Sequence, residues 1–206
     1  MKQVLVIHGG DAYPSRKQYL AALKRKKFNF QKAIRKGWKD NLGEKLGTGY
    51  QVVMPRMPNM DNARYAEWKI WLEKIIPHLE QEFVLVGHSM GGIFLAKYLA
   101  ENKFPKKALA VLLVAAPFEG DKRKYSLVDF RLKKDLSMLQ HQTAKLVFFY
   151  SADDKVVPLS DLERYRKKLP RADYRIFLKR GHFNEPSFPE IVREIKKAFE
   201  KKTFSS

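Results

Sequence analysis

The chain has 206 residues, of which 45% are hydrophobic and 13% aromatic, so it can bury the core of a globular domain and is not a disordered chain. It contains no cysteine, which excludes a disulfide framework, a thiolate zinc site and a cysteine nucleophile. The formal net charge of +19 predicts attraction to polyanions such as nucleic acid or anionic lipid, but it carries no information about the fold.

The apolar segments of the sequence are too short for a signal peptide or a membrane-spanning helix. The N-terminal stretch MKQVLVIHGG has too short an apolar region for a secretory signal peptide. The longest apolar run, 108–118, is well below the roughly 18 residues that a membrane-spanning helix needs. We therefore expect a soluble, cytoplasmic protein.

Six short apolar runs, rich in β-branched residues, predict strands at 4–7, 52–54, 83–86, 110–114, 146–150 and 174–178. Longer segments with helical spacing lie between them, such as 65–76 and 191–199. Apolar runs that alternate with helices are typical of a mostly parallel sheet covered by helices on both faces. The sequence has no internal repeat and no low-complexity linker, and the polar stretch 119–124 predicts a loop. We expect one α/β domain over residues 1–206.

The segment between the first two predicted strands has apolar residues at every fourth position: Phe30, Ile34, Trp38, Leu42 and Leu46. This spacing predicts a single helix that packs one face on the sheet. Residues 11–29 would then be an insertion beside the end of the first strand, with a short helix of its own around Tyr19, Leu20 and Leu23.

The region 23–39 is also the densest basic patch, and its aromatic residues are interleaved with lysine and arginine. We favour the interpretation that these cations coat solvent-facing helix surfaces. The alternative is a binding surface for nucleic acid or an anionic membrane. The sequence contains no recognisable nucleic-acid-binding motif.

The third predicted strand runs directly into GHSMGG, a match to the GxSxG nucleophile elbow. In that motif the serine sits on a strained turn between a strand and a helix, and small residues are required on either side of it. The strand FVLV precedes Ser89 and the helical segment 93–100 follows it. The context therefore favours a catalytic serine at position 89 over a simple glycine-rich turn.

A serine hydroxyl needs a base and an orienting carboxylate, and in this fold they follow in the order Ser, Asp, His. Among the five histidines only His182 lies in a loop after the last predicted strand, where it could reach the serine. The loop after the fifth strand, SADDKVVP, offers Asp153 and Asp154, and spacing does not choose between them. The other aspartate is expected to cap local backbone N–H groups.

Two backbone N–H groups should stabilise the developing oxyanion. We expect one from Met90, directly after the serine, and one from Gly10 in the glycine pair after the first strand. Residues near the predicted strand ends are candidate pocket walls: Tyr13, Tyr19, Phe118, Met138 and Phe183.

Together, VIHGG, GHSMGG, SADDKVVP and GHF resemble the α/β-hydrolase superfamily. More narrowly, they resemble the small YdeN-like serine hydrolases, to which the retinoblastoma-binding serine hydrolase is related. The resemblance implies Asp154 as the triad carboxylate, His182 as the base, and hydrolysis of small esters or amides. The insertion at 11–29 departs from that family and could form a small lid, and the strong positive charge is a second departure.

The leading hypothesis is a carboxylesterase-like serine hydrolase that cleaves small esters through an acyl-enzyme, with a Ser89, His182 and Asp154 triad and with no metal or cofactor. The same triad would serve a peptidase, an amidase or an acyltransferase. A hypothesis of another class is a basic polyanion-binding domain with little catalytic role.

Overall fold

The computed structural model describes residues 1–119 and 126–200. Its centre is a sheet of six parallel strands in the order β2-β1-β3-β4-β5-β6. The strands are β1 (Lys2–Ile7), β2 (Tyr50–Val53), β3 (Phe83–His88), β4 (Ala110–Val114), β5 (Leu146–Ser151) and β6 (Asp173–Phe177). Each of the six predicted runs overlaps one of these strands, so the predicted parallel sheet is confirmed.

Helices cover both faces of the sheet. They are α1 (Arg16–Arg25), α2 (Phe30–Ile34), α3 (Trp38–Leu46), α4 (Tyr65–Ile75), α5 (Met90–Glu101), α6 (Ser137–His141), α7 (Leu159–Lys168) and α8 (Pro189–Glu200). Alternate β1 residues point to opposite sides, with Leu5 packed among residues of α4, α5 and α7 and Val4 among residues of α3 and α8. The result is a three-layer α/β domain with a core on each face.

The strand order predicts a ligand site beyond the carboxyl ends of the central strands. The chain passes from β1 to the edge at β2 and then returns to β3 on the other side of β1, so the winding direction reverses between β1 and β3. These two strands end together, with Ile7 paired to Gly87. In open parallel sheets, ligands bind beyond the carboxyl ends of the strands at this reversal point. The loops after β1 and β3 both begin there.

The predicted single helix over 30–46 is wrong, because the chain breaks between α2 and α3. Gly37 adopts an extended conformation and its N–H donates to the Asp40 carboxylate at 2.7 Å, which starts a new helix at Trp38. Trp38 is buried, as predicted for the sheet-facing stripe, whereas Phe30 and Ile34 are 66% and 62% exposed. The every-fourth spacing continues across a change of direction and therefore does not define one face.

The insertion does contain the short helix expected from its sequence, namely α1. Ser15 caps this helix by accepting a hydrogen bond from the Gln18 N–H at 3.2 Å. The predicted loop at 119–124 lies outside the described residues apart from Glu119. No helix in the described part of the chain combines the length and apolar character needed to cross a bilayer.

Candidate active site

Ser89 occupies a strained turn between β3 and α5. Its φ of 56° and ψ of −121° are rarely adopted by a residue with a side chain, and such a conformation persists only when the surroundings enforce it. A Cβ at Gly91 would overlap the carbonyl oxygens of Ile7 and His8, and one at Gly87 would overlap the backbone of Gly91. Both glycines are therefore required for the close approach of α5 to the sheet.

The structure brings the three predicted triad side chains into contact. The Ser89 hydroxyl donates to Nε2 of His182 over 2.9 Å, and Nδ1–H of His182 donates to Oδ2 of Asp154 over 2.8 Å. The carboxylate on Nδ1 fixes the tautomer that leaves the Nε2 lone pair free for the serine proton. The Asp154 side chain is fully buried and that of His182 is 15% exposed. The three groups form one hydrogen-bonded relay.

Asp154 also holds its own loop in place. Its second oxygen, Oδ1, accepts the backbone N–H groups of Val156 and Val157 at 2.8 and 3.1 Å. Both carboxylate oxygens are thus committed, one to the turn and one to the imidazole. The capping role that the sequence assigned to the other aspartate is carried out by Asp154 itself.

Asp153 has a different task from the one expected. Its Oδ1 accepts the Ser151 hydroxyl at 2.6 Å and the Gly181 N–H at 2.8 Å, while the Ser151 oxygen accepts the Arg180 N–H at 2.8 Å. The hydrogen bond from Ser151, reinforced by that from Gly181, lowers the pKa of Asp153 below its usual value. Asp153 therefore ties the end of β5 to the loop that carries His182.

The loop after β1 lies against the serine with no side chain between them. A Cβ at Gly9 would lie 3.2 Å from the Ser89 Cβ, and one at Gly10 would lie 2.6 Å from the Met60 carbonyl oxygen. His8 anchors this loop, because its Nε2 accepts the Met57 N–H at 2.9 Å and its Nδ1–H donates to the Gly9 carbonyl at 2.6 Å. Gly9 is therefore the glycine that lies against the nucleophile, and Gly10, one of the two predicted oxyanion residues, packs on Met60 and lines the same cavity as Ser89.

A cavity of about 780 Å³ opens over Ser89. The insertion forms one wall of it, through Tyr13 and through Arg25 and Lys26 at the end of α1. Met90, His88 and His182 lie on the sheet side. Within residues 1–119 and 126–200, no group of three or more His, Asp and Glu side chains is arranged to hold a metal ion.

Of the predicted pocket residues, only Tyr13 lines this cavity, and Tyr19 packs behind it with the two rings 5.7 Å apart. Phe118 instead stacks edge-to-face on Tyr165 at 4.9 Å. Met138 lies on α6, which packs against α5.

Phe183 also lies away from the cavity and is 2% exposed. Its ring packs among Phe177 and Phe188 in the core under the sheet. Its φ of 53° accompanies a change of backbone direction directly after His182. Proximity to a strand end did not predict which way these side chains point.

The sequence analysis missed Lys39 and the role of His88. Lys39 lines the cavity, and its Nζ lies 3.1 Å from Nδ1 of buried His88. Nε2 of His88 lies 2.9 Å from the His182 carbonyl oxygen, which only accepts, so Nε2 carries the proton and Nδ1 accepts from Lys39. Burial, followed by the nearby Lys39 charge, lowers the pKa of His88 well below its usual value.

Burial also lowers the pKa of Lys39 to about 8. In the sequence, Lys39 is one cation in a basic run and nothing distinguishes it from its solvent-facing neighbours. The break at Gly37, which sets the start of α3 at the cavity, is the feature that separates it from them.

Comparison with known proteins fixes the family. A family model described as serine hydrolase matches residues 28–197. The chain belongs to this serine hydrolase family. It is 25% identical to the rat serine hydrolase RBBP9 over 150 residues, which cover 72% of this chain and 77% of the rat protein.

Solved structures show the same fold. The ydeN gene product of Bacillus subtilis superposes with a TM-score of 0.77 at 21% identity, covering 97% of this chain and 100% of that one. A putative YdeN-like hydrolase of Pectobacterium atrosepticum gives a TM-score of 0.62 at 14% identity, covering 96% and 92%. The resemblance inferred from the four motifs is therefore confirmed for the family and for the single-domain α/β-hydrolase fold.

Proposed function

We propose that this serine hydrolase is carboxylesterase-like and cleaves small ester substrates through a covalent acyl-enzyme. One observation carries the proposal, namely the unbroken relay from Ser89 Oγ through His182 to Asp154, with links of 2.9 and 2.8 Å, at the floor of a cavity. A serine in contact with an oriented imidazole is the arrangement that activates a hydroxyl for attack on a carbonyl.

In the proposed reaction, Ser89 Oγ bonds to the ester carbonyl carbon while its proton passes to Nε2 of His182. The imidazolium formed is stabilised by the buried Asp154 carboxylate. When the tetrahedral intermediate collapses, the bond to the leaving alcohol breaks and His182 returns the proton to that oxygen. Water then gives a proton to His182 while its oxygen bonds to the acyl carbon. When this second intermediate collapses, the bond between the acyl carbon and Ser89 Oγ breaks, His182 returns the proton to Oγ, and the acid leaves.

The proposed oxyanion donors are the backbone N–H groups of Met90 and Gly10. Met90 is the first residue of α5, and the first N–H groups of a helix have no partner within it. In the loop after β1, the Asp11 N–H is already used, since it donates to the Met60 carbonyl at 2.9 Å. This leaves the glycine pair as the source of the second donor, and we assign it to Gly10.

The same relay would also serve a peptidase, an amidase or an acyltransferase. We favour esters because an alcohol leaves more readily than an amine and demands less of the general acid. Paired assays of an aryl ester and the matching anilide would separate the two classes.

A second candidate function is association with an anionic surface. Phe28 and Phe30 are 82% and 66% exposed within the basic segment that precedes α3. Exposed aromatic rings among cations are typical of segments that lie on anionic membranes.

Labelling with a fluorophosphonate probe, read by intact mass, tests the hydrolase proposal. We expect one adduct on the unmodified protein and none on Ser89→Ala, together with a loss of roughly a thousandfold or more in kcat for short aryl esters. Normal labelling or normal esterase rates in the Ser89→Ala protein would refute it.

A further inference from the structure

We propose that Lys39 binds an oxyanion of the substrate, a carboxylate or a phosphate, so that the ester accepted by this cavity is negatively charged. The inference rests on the proposed hydrolase function and adds the chemical class of the substrate to it.

Lys39 is placed to contact a bound ligand. It lines the same cavity as Ser89, and its Nζ lies 3.1 Å from Nδ1 of the neutral His88 ring and 5.1 Å from the centroid of the Trp38 ring. An ammonium group has three N–H donors, and His88 Nδ1 accepts one of them. The remaining donors are available to a group that enters the cavity.

No carboxylate of the described residues lies within 4 Å of the Lys39 ammonium, although other cations nearby are paired. Lys26, on the opposite wall, lies 3.8 Å from Asp11 and 3.5 Å from Asp61. The adjacent Asp40 carboxylate accepts the Gly37 N–H and so caps α3 instead. Lys39 is thus a largely buried cation with no ion pair within 4 Å among the described residues. The negative charge of Asp40 raises the pKa of Lys39, but burial has the larger effect and lowers it.

Such a cation is costly to maintain unless it gains a partner. Its neighbour His88 cannot supply negative charge, because its Nε2–H donates to the His182 carbonyl and its ring is buried and neutral. An incoming oxyanion would supply the missing charge and accept the unused donors. Charge-assisted hydrogen bonds of this kind are the stronger class.

Lys39 could instead have a purely structural role. It would then position His88, and through His88 the loop that carries His182, without contacting the substrate. That role would change the turnover of every substrate by the same factor, whatever its charge. A comparison of charged and neutral substrates of matched size therefore separates substrate binding from positioning.

The test uses p-nitrophenyl esters of butyric acid, glutaric acid and 4-phosphonobutyric acid. We expect Lys39→Met to lower kcat/KM for the two charged esters about tenfold to a hundredfold more than for the butyrate, mainly through KM. The glutarate and phosphonate arms show which oxyanion is preferred. Lys39→Arg should retain most of the preference. The matched control is Lys45→Met, because Lys45 is an exposed cation on α3 paired with Glu44. An equal loss on all three esters would overturn the inference.

The pH dependence gives a second readout. Because burial lowers the pKa of Lys39 to about 8, the preference of the unmodified protein for charged esters should decline as the pH rises through that value. In Lys39→Arg the preference should persist at high pH, since guanidinium stays protonated. A preference that does not change between pH 7 and 9.5 in the unmodified protein would count against Lys39.

Binding measurements keep this inference separate from the proposed chemistry. In the Ser89→Ala background, calorimetric titration with monoethyl glutarate and with ethyl butyrate measures affinity without turnover. Tighter binding of the charged ligand that is lost in the Ser89→Ala, Lys39→Met double variant would support the inference even if no ester were hydrolysed. Equal affinities, or no binding of either ligand, would overturn it and leave the hydrolase proposal standing on its own labelling test.

Discussion

Replacing Lys39 by methionine should make the protein more stable at neutral pH. The fall in the pKa of Lys39 from 10.5 to about 8 corresponds to a penalty of up to about 3 kcal/mol for keeping the amine charged in the folded protein. Methionine retains most of the side-chain length but leaves His88 Nδ1 without its donor, which costs about 1 kcal/mol or more. We therefore expect a net gain of about 1–2 kcal/mol in the free energy of unfolding.

Urea unfolding at pH 7, 8.5 and 10 measures this gain and its sign. The penalty is fully present below pH 8, where both folded and unfolded chains hold the proton. As the pH rises from about 8 towards 10.5, the folded protein releases the proton before the unfolded chain does, so the unmodified protein gains stability. The advantage of Lys39→Met should therefore shrink with pH. Lys45→Met, at an exposed and paired site, should show no such trend. A variant that is less stable than the unmodified protein at pH 7, or a difference independent of pH, would refute the reasoning.

Three further predictions concern the triad, the elbow and the surface. Asp154→Asn should lower kcat for aryl esters about a thousandfold or more, whereas Asp153→Asn should act mainly by lowering the melting temperature, since it ties two loops together. Comparable losses of kcat in the two variants would contradict this division. Gly91→Ala should destabilise the fold by several kcal/mol in thermal unfolding, because its Cβ would overlap the Ile7 carbonyl; a normal melting temperature would be inconsistent with the elbow geometry. Binding to phosphatidylglycerol vesicles should weaken with salt and with a joint Phe28→Ser and Phe30→Ser change, and equal binding to neutral phosphatidylcholine vesicles would exclude an electrostatic surface.

The inner strands of the sheet were predictable because they are buried on both faces. Runs such as Phe83–His88 and Ala110–Val114 have no polar face, so the apolar pattern alone locates them. The single helix predicted over 30–46 was wrong because the apolar stripe contains no mark of the break in the chain. Its spacing fits a helix on both sides of the break, and only the extended conformation of Gly37, together with its hydrogen bond to Asp40, separates α2 from α3.

The residues of the candidate site were also predictable only in part. Ser89 and His182 follow glycines in loops after strands, and those backbone requirements leave a mark in the sequence, whereas only the family resemblance chose Asp154 over Asp153. Pocket walls leave no such mark, because the direction of a side chain after a strand depends on what packs around it. Phe183 is the clear example, since it adjoins His182 in sequence and yet belongs to the core beneath the sheet.

The position of His182 after β6 has a consequence for how the protein matures. The ribosome synthesises the serine and its elbow about ninety residues before the imidazole, and β6, at the border of the sheet next to β5, is the last strand in the chain. A nascent chain holding β1 to β5 would therefore carry an inert hydroxyl. In the proposed mechanism, Ser89 would therefore become reactive only once β6 has docked and the loop after it has placed the imidazole beside the hydroxyl.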